Sequence, residues 1–589
     1  MKDFLKFMFA TVAGLVVTGV LFFVVSLVVM AGMLSTSEPE TVVQKNSVML
    51  LNLDGELVER NQENPLRTLF SDRTASFGLD DVLSSIRKAA ENDNIRGIYL
   101  QAGTLSAGYA SLQEIRHALL DFKQTGKFIV AYSDNYTQSL YYLASVADKV
   151  LLNPKGVIAW QGLSSTPTFY ADLLKKIGVE VQIFKVGTYK AAVEPYINTS
   201  MSDANREQIQ AYAGSIWKQM VDGVAESRGL TADALHAQAD RMIMMYPSEE
   251  NVTCGLVDTL IYKNDVRNYL KQMMGVDKDD RINMLDLTAM TGINRNVPKD
   301  KSGNIVAVYY LTGEIDLAAD YVNLSDGILS DQVIRDLRRL AEDDDVKSVV
   351  LRVNSPGGSA FGSEQIWYAV QQLKEKKPVI VSMGDYAASG GYYISCVADT
   401  IVAEPTTLTG SIGIFGMFPS FKGLADKVGL SFDVVKTNKY ADFGETTRPM
   451  NEAEQALMQQ TINEGYRLFV QRCADGRGMT PEAIEKIAEG RVWTGEMAVK
   501  NGLVDLLGGI DTALDIAVEK AGIDAYTVLT YPAKKSFWEV LMDSNLPSYL
   551  RSSMLTGRAA ELYQPLLWLE NFDKMDKIQA RIPYEPNLR

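Results

Sequence analysis

The residue types most able to perform chemistry lie around Ser389, in the segment GDYAASGGYYIS. A predicted strand, PVIVSM, leads through a short loop to this serine, and a predicted helix begins at Gly390. A serine at such a position can act as a nucleophile, because the N–H of Gly390 and the positive end of the helix dipole can stabilise an oxyanion. The same serine could instead only cap the helix, since serine is a common N-cap residue.

A second segment, NSPGGS from Asn354 to Ser359, follows another predicted strand. Its adjacent glycines, Gly357 and Gly358, let backbone N–H groups approach a ligand closely. A plain β-turn also explains the PGG sequence. The position at the carboxyl end of a strand favours a functional role, because parallel α/β sheets bind ligands there. We therefore expect an oxyanion hole built from Gly357, Gly358 and Gly390.

A serine nucleophile needs a base, and histidine is the usual choice. The two histidines, His117 and His236, lie in predicted helices away from any nucleophile motif. Lys190, in FKVGTYKAAVEPY, is the alternative base. A lysine can accept a proton only if burial or a nearby positive charge lowers its pKa from about 10.4 towards neutrality. Taken alone, Lys190 is more typical of a solvated surface lysine.

These segments belong to two copies of one unit. Aligning IRGIYLQ, from Ile95, with VKSVVLRV, from Val346, sets an offset that holds without a gap as far as Lys190. A repeat of this length indicates a duplicated domain. The matched residues include Asp134 with Asp385, Tyr141 with Tyr392, Pro154 with Pro405, and Lys185 with Lys436. Within each copy, apolar strands alternate with helical patterns, which predicts βαβ units on a largely parallel sheet and an α/β fold.

The repeat divides the chain into five regions. We expect a membrane anchor and stalk over 1–46, a first copy over 47–280, a linker over 281–302, a second copy over 303–530 and a C-terminal helical extension and tail over 531–589. The linker sequence TGINRNVPKDKSGN is polar and contains Pro, Gly and Asn, as is typical of a surface connection. The C-terminal region mixes an amphipathic pattern, AAELYQPLLWLENF, with a polar tail. Its sequence predicts no function.

The two copies differ at the reactive positions. Ser389 in the second copy aligns with Gln138 in the first, and the NSPGGS turn aligns with residues 103–108, GTLSAG. Lys190 in the first copy aligns with Ala441 in the second. A single site assembled from both copies accounts for these complementary differences. An apolar cleft between the copies would lower the pKa of the lysine enough for it to act as the base for the serine.

The N-terminus predicts a membrane anchor. From residue 7 to residue 34 no side chain is charged, and this run exceeds the roughly 20 residues that a membrane-spanning helix needs. A cleaved signal peptide is the alternative, although its apolar core usually has about 7 to 15 residues. Lys2 and Lys6 precede the run, whereas Glu38 and Glu40 follow it. The positive-inside rule then places the short N-terminus in the cytoplasm and the large body outside it.

The charge and the cysteine content of the chain argue against some classes of partner and ligand. A net charge of -15 and a pI near 4.9 would repel a phosphate backbone, so we expect no nucleic acid partner. The cysteines, Cys254, Cys396 and Cys473, are far apart and form no CxxC motif. They indicate neither a disulfide framework nor a cysteine-rich metal site. We expect no metal and no cofactor.

Four segments, NSPGGS, GDYAASGGYYIS, LTGSIGIFG and GTYKAAVEPY, resemble the signatures of the signal peptide peptidase A (protease IV) family in its long, duplicated form. The resemblance covers nearly the whole chain after the anchor. It implies a ClpP/crotonase-like fold in each copy and a serine protease with a Ser389/Lys190 dyad. It also implies a homotetramer at the outer face of the cytoplasmic (inner) membrane, with residual signal peptides as substrates.

The shorter form of this family has its lysine in a segment like that of the second copy. The equivalent residue here is Ala441, with Lys439 two residues earlier, and we do not expect Lys439 to be the base. Two other interpretations stay open: a crotonase-like enzyme acting on acyl-CoA, and a non-catalytic membrane scaffold with a protease-like fold. The extracytoplasmic location disfavours the acyl-CoA enzyme. The presence of both Ser389 and Lys190 disfavours the scaffold.

Overall fold

A computed structural model of the chain describes residues 14–15, 17–22, 42–61, 76–277, 279–294, 300–316, 327–534 and 577–582. Most of the predicted anchor, 7–34, lies outside these ranges, and within it residues 14–15 and 17–22 are helical. Across the described ranges, the helices are all too short or too polar to cross a membrane. The amphipathic segment AAELYQPLLWLENF also falls outside the described residues.

The first copy is built on a seven-stranded sheet in which all paired strands are parallel. Its strand order is β2-β1-β3-β4-β5-β7, with β8 paired to β1. The strands of this copy are β1 (Ser47–Val58), β2 (Ser76–Gly78), β3 (Ile95–Ser106), β4 (Phe128–Ser133), β5 (Lys149–Leu152), β6 (Glu180–Lys185), β7 (Thr259–Leu260) and β8 (Asn283–Leu285). The helices are α1 (Leu79–Glu91), α2 (Tyr109–Gln124), α3 (Gln138–Ala144), α4 (Ala171–Ile177), α5 (Glu194–Ile197), α6 (Asp203–Arg228), α7 (Ala232–Asp240), α8 (Glu249–Thr253), α9 (Lys263–Met274) and α10 (Leu287–Thr291).

The second copy repeats this plan on an eight-stranded sheet of order β16-β14-β12-β10-β9-β18, with β13 paired to β12 and β17 to β13. Its strands are β9 (Ile305–Thr312), β10 (Val346–Ser355), β11 (Gly357–Ser359), β12 (Val379–Ala388), β13 (Thr400–Ala403), β14 (Leu408–Gly410), β15 (Phe415–Ser420), β16 (Val492–Thr494), β17 (Leu506–Leu507) and β18 (Thr527–Tyr531). Its helices are α11 (Ser330–Glu342), α12 (Ala360–Lys374), α13 (Gly390–Ser395), α14 (Lys422–Val428), α15 (Glu452–Arg477), α16 (Pro481–Glu485), α17 (Gly495–Lys500) and α18 (Ile510–Ala521). The α/β fold predicted from the repeat is confirmed.

Hydrophobic periodicity explains why these segments form their elements. The central strand β10 reads VKSVVLRVNS and is buried along most of its length, as expected for a parallel strand covered on both faces. In α11 the buried apolar residues Val333, Leu337 and Leu340 recur at helical spacing, so one face of the helix packs on the sheet. The apolar runs of the sequence thus become the interior of each copy.

A third sheet joins the two copies. Its order is β11-β19-β15-β6, where β19 (Ile578–Arg581) comes from the C-terminal region. Strand β6 of the first copy pairs antiparallel with β15 of the second, from Phe415 opposite Lys185 to Ser420 opposite Glu180. Because β6 leads directly into the loop that carries Lys190, this pairing fixes the lysine relative to the second copy.

A buried ion cluster also fixes the copies together. Arg352, on β10, pairs with Glu59 at 2.8 Å and with Glu114 at 2.6 Å, and both carboxylates come from the first copy. Burial raises the pKa of Glu114 to about 7 although Arg352 opposes the rise. Removing one member of such a buried group leaves an uncompensated charge, which is strongly destabilising. The cluster therefore holds β10, and with it the Gly357 turn, against the first copy.

Candidate active site

Ser389 lies at the junction between β12 and α13 in a strained backbone conformation. The sequence suggested a short loop before the serine, but β12 continues to Ala388, so the chain turns within one residue. Ser389 has φ 55° and ψ -110°, and its side chain makes no capping hydrogen bond to the helix. A non-glycine residue in such a region costs about 1–3 kcal/mol and occurs mainly at functional sites. The interpretation of Ser389 as a helix cap is therefore not supported.

The structure brings Lys190 to Ser389. Lys190 Nζ lies 2.8 Å from Ser389 Oγ, and it lies 3.1 Å from both the carbonyl oxygen and the Oγ of Ser411. Ser389 Oγ also donates to the carbonyl oxygen of Gly413 at 3.3 Å. Both Lys190 and Ser389 are fully buried. The lysine of the first copy and the serine of the second thus meet within one chain.

Burial lowers the pKa of Lys190 well below its usual value of 10.5, because the desolvated site disfavours the charged ammonium. A neutral amine has two N–H groups and one lone pair. The carbonyl oxygen of Ser411 can only accept a hydrogen bond, and the Oγ of Ser411 can accept the second. When the Ser389 hydroxyl rotates from the carbonyl oxygen of Gly413 towards Nζ, the remaining lone pair of the amine can accept its proton. The geometry suits a base that removes the proton of Ser389.

Close backbone packing positions the lysine. A Cβ added at Gly490, where φ is +78°, would lie 2.7 Å from the backbone nitrogen, Cα and Cβ of Lys190. A Cβ at Gly413 would lie 3.4 Å from Lys190 Cδ. The N–H of Tyr189 donates to the carbonyl oxygen of Glu489 at 2.9 Å, so the 489–490 turn holds the lysine loop directly.

The three predicted oxyanion glycines lie beside the serine. A Cβ added at Gly357 would lie 2.7 Å from the nitrogen of Gly390, so these two residues are in close contact. Ile315 N donates to the carbonyl oxygen of Gly357 at 3.0 Å, and Ser359 N donates to that of Ile315 at 2.9 Å. Since backbone groups alternate along a strand, the N–H of Gly358 faces the opposite side from Ile315. It therefore points into the groove next to Gly390.

Other residues that the sequence raised lie in different surroundings. His117 Nδ1 lies 3.4 Å from Glu404 Oε1, and His236 accepts a hydrogen bond from Trp217 at 3.3 Å. Lys439 Nζ lies 4.8 Å from the centre of the Tyr440 ring in an exposed segment. None of these three contacts involves Ser389, whose hydroxyl is instead contacted by the amine of Lys190.

Sequence reasoning missed Ser411, Gly413 and Gly490 as parts of this site. Ser411 and Gly413 lie in LTGSIGIFG, which carried the family resemblance but received no role. Gly490 had no sequence signal, because its importance comes from a contact with Lys190, far away in the chain. The strand β19 beside the glycines was likewise not predicted.

Comparisons with known proteins agree with the repeat. The model of peptidase family S49 matches residues 121–277 and 371–524. The first of these ranges contains Lys190 and the second contains Ser389. A Clp protease model matches residues 320–406, which include the Gly357 turn.

The chain is also similar to named proteases over most of its length. It is 36% identical to Protease 4 of Salmonella typhi over 550 residues, which cover 90% of this chain and 88% of that protein. It is 35% identical to Protease 4 of Haemophilus influenzae, covering 84% of this chain and 82% of the relative. The chloroplastic serine protease SPPA of Arabidopsis thaliana is 31% identical, over 82% of this chain and 70% of its own.

Proposed function

The chain belongs to peptidase family S49 and is a serine endopeptidase, and from this premise we propose that Ser389 and Lys190 form its catalytic dyad. The observation that carries the proposal is the 2.8 Å contact between the buried amine of Lys190 and the hydroxyl of Ser389. Family membership favours a peptidase over the acyl-CoA enzyme and the scaffold that the sequence alone left open.

The proposed reaction begins when Lys190, as a free amine, takes the proton of Ser389 Oγ while that oxygen attacks the carbonyl carbon of the substrate. The N–H groups of Gly358 and Gly390 stabilise the oxyanion that forms. The Lys190 ammonium then gives its proton to the leaving amine as the peptide bond breaks, which leaves an ester on Ser389. Lys190 next takes a proton from water, the resulting hydroxide attacks the ester, and the proton returns to Ser389.

We propose apolar peptides as substrates, and in particular signal peptides that remain in the membrane after preprotein processing. The resemblance of the four motifs to the signal peptide peptidase A family supports this substrate class. The test is hydrolysis of a synthetic signal peptide by the detergent-solubilised full chain, with Ser389→Ala as the control. Cleavage by the unaltered chain alone supports the proposal. Turnover of an acyl-CoA thioester without peptide cleavage would instead favour the crotonase-like alternative.

The proposal includes a single-pass anchor over residues 7–34, with the catalytic body on the extracytoplasmic side of the cytoplasmic membrane. The uncharged run, with Lys2 and Lys6 before it, supports this orientation. A chain lacking residues 1–46 is expected to leave the membrane fraction. A protease added to sealed spheroplasts is expected to degrade the body of the full chain. Protection of the body from the added protease would contradict this orientation and would place the body in the cytoplasm.

We further propose that the chain assembles as a homotetramer, and the repeat supports a head-to-tail contact. The residues equivalent to β6 and β15 in the opposite copies are 431–436 and 164–169, and neither segment forms a strand within the single described chain. Residues 431–436 are all exposed, with Val435 at 97%. Pairing 431–436 of one subunit with 164–169 of the next would repeat between chains the β6–β15 contact that exists within one.

Proline at position 434 tests this contact, because it removes a backbone N–H and interrupts strand pairing. Val434→Pro is expected to lower the mass of the detergent-solubilised protein by light scattering. Val434→Thr, which keeps the N–H and the branched side chain, is the matched control. An unchanged mass for the proline variant would contradict a head-to-tail contact through this segment.

A further inference from the structure

Gln208, on α6, lies between the lysine loop of the first copy, residues 186–193, and the 489–492 turn of the second. Its Nε2 donates to the carbonyl oxygen of Tyr189 at 3.0 Å, and its Oε1 accepts from the N–H of Val492 at 3.2 Å. Gln208 is 1% exposed. Breaking either bond would leave a buried backbone group without a partner, which is costly. The amide therefore fixes the lysine loop relative to the second copy.

The turn that Gln208 contacts also holds the acceptors of the lysine amine. The carbonyl oxygen of Arg491, the residue before Val492, accepts from the N–H of Ser411 at 2.7 Å. Ser411 in turn supplies the carbonyl oxygen and the Oγ that lie 3.1 Å from Lys190 Nζ. Gln208 thus joins the backbone that carries the lysine to the turn that holds the hydrogen-bond acceptors of that lysine.

Asn205 extends this contact to the far end of the lysine loop. Its Oδ1 accepts from Gln208 Nε2 at 3.1 Å, and its Nδ2 donates to the carboxylate of Glu194 at 2.9 Å. Asn205 and Glu194 are both buried. Lys190 lies between Tyr189 and Glu194 in the chain, so the three polar side chains hold the loop on both sides of the lysine. A buried polar network with satisfied partners is rigid.

The second copy has a different side chain at the equivalent place. The equivalent helices α6 and α15 are both 26 residues long. Gln208 is the sixth residue of α6, whereas the sixth residue of α15 is Leu457, which is 49% exposed. The buried amide therefore occurs in the copy that carries Lys190, and the shared fold alone does not require it.

We propose that Gln208 is a positioning residue, which holds the Lys190 amine against the hydroxyl of Ser389. This inference rests on the proposed function, because Gln208 acts through Lys190 as the base. Without the two bonds of Gln208, the lysine loop can shift and water can reach the amine. Nζ then lies farther from Ser389 Oγ, and the pKa of Lys190 rises towards its usual value because the ammonium is better solvated.

Gln208→Met tests the proposal, because methionine has a similar length but no N–H to donate and only a weakly accepting sulfur. With a signal-peptide substrate we expect kcat to fall about tenfold to a hundredfold and KM to stay unchanged. The rise of kcat with pH should move upward by about one pH unit. A wild-type kcat with a wild-type pH profile would overturn the proposal.

Gln219→Met is the matched control. Gln219 lies on the same helix, and its Nε2 donates to Glu496 of the second copy at 3.1 Å. The variant therefore loses a contact between the copies at α17 instead of at the lysine loop. We expect it to keep the kcat and the pH profile of the wild type. The same shift of the pH profile in both variants would overturn the specific role of Gln208.

A double-mutant cycle separates positioning of the lysine from a general loss of structure. A residue that acts through Lys190 has no further effect once that lysine is removed. The rate at which a fluorophosphonate labels Ser389 is measured in Lys190→Ala with and without Gln208→Met, and we expect equal rates. If Gln208→Met slows labelling by the same factor with and without Lys190, the inference is overturned.

Gln208→Glu is a second variant that keeps the side-chain length and so keeps the experiment decisive if methionine prevents folding. An ionised carboxylate can accept from the N–H of Val492 but has no hydrogen for the carbonyl oxygen of Tyr189. We expect its kcat to be lower than that of the wild type at alkaline pH, where the carboxylate is ionised. Wild-type hydrolysis by Lys190→Ala would overturn the proposed function. Slow hydrolysis by Lys190→Ala, with wild-type kcat in the folded Gln208 variants, would overturn only this inference.

Discussion

The two copies turn from strand to helix at equivalent places and do so differently. In the first copy Thr137 has an ordinary φ of -68° and caps α3 by accepting a hydrogen bond from Leu140 N at 3.3 Å. In the second copy Ser389 has φ 55° and makes no cap, and its Oγ lies 2.8 Å from Lys190 Nζ. One turn therefore uses its hydroxyl to stabilise a helix, and the other leaves its hydroxyl available for chemistry.

At the position of the lysine, the first copy carries the reactive side chain and the second copy does not. Lys190 is fully buried and packed against Gly490, whereas its counterpart Ala441 is exposed. Gln138, the counterpart of Ser389, accepts hydrogen bonds from the backbone N–H groups of Gln161 and Gly162 at 3.1 and 2.9 Å. The comparison teaches that, in the proposed dyad, each copy supplies one reactive group, and the aligned residue of the other copy is a glutamine bound to a loop or an exposed alanine.

Alanine at the two aligned positions gives the largest contrast. Ser389→Ala is expected to lower peptide hydrolysis by about 10³-fold or more, because the nucleophile is lost. Gln138→Ala removes only hydrogen bonds to a loop of the first copy, so its kcat/KM should stay near that of the wild type. Steady-state hydrolysis of one signal peptide measures both. A comparable loss in the two variants would mean that the copies do not divide the site.

Positioning of the lysine gives a smaller effect. Gly490→Ala should displace Lys190 and lower kcat by about tenfold to a hundredfold, since misplacement of a catalytic group by about 1 Å costs this much. Gly478→Ala is the matched control, because its φ is +62° and a Cβ there meets no atom within 4 Å. Both variants carry the strain of alanine at positive φ, about 1–2 kcal/mol, so both should unfold at lower temperature. Equal kcat values for the two variants would contradict the role of Gly490.

The helix caps give the smallest effect. Thr137→Ala should cost about 1 kcal/mol of unfolding free energy through the lost cap, with kcat unchanged. Ser389→Ala removes no cap and should leave stability near that of the wild type. Thermal unfolding of the two variants measures the difference. A larger loss of stability for Ser389→Ala would mean that its hydroxyl also has a structural role.

The sequence predicted the α/β copies and the pairing of Lys190 with Ser389 because the repeat itself carries that information. A lysine facing an alanine, and a serine facing a glutamine, mark the positions where the copies diverge. The strand β12 was predicted shorter than it is, since the residues GDYAA resemble a loop although they continue the strand to Ala388.

Contacts between distant parts of the chain could not be predicted from the sequence. Ser411 and Gly490 matter because folding places them around the Lys190 side chain and backbone. The sheet β11-β19-β15-β6 combines three regions of the chain, and pairing partners of that kind leave no periodic pattern to detect. The short segment 577–582 has no compositional feature that distinguishes it from the polar tail around it.

The most direct test of the dyad is the rate at which a fluorophosphonate labels Ser389 as a function of pH, in the wild type and in Lys190→Arg. Burial lowers the pKa of Lys190, so the free amine forms as pH rises through that lowered value, and labelling of the wild type should rise over the same range and then level off. Arginine stays charged and cannot accept the proton, so Lys190→Arg should be labelled about 10³-fold more slowly at every pH. Labelling of Lys190→Arg at the wild-type rate, or a flat wild-type profile, would contradict the dyad.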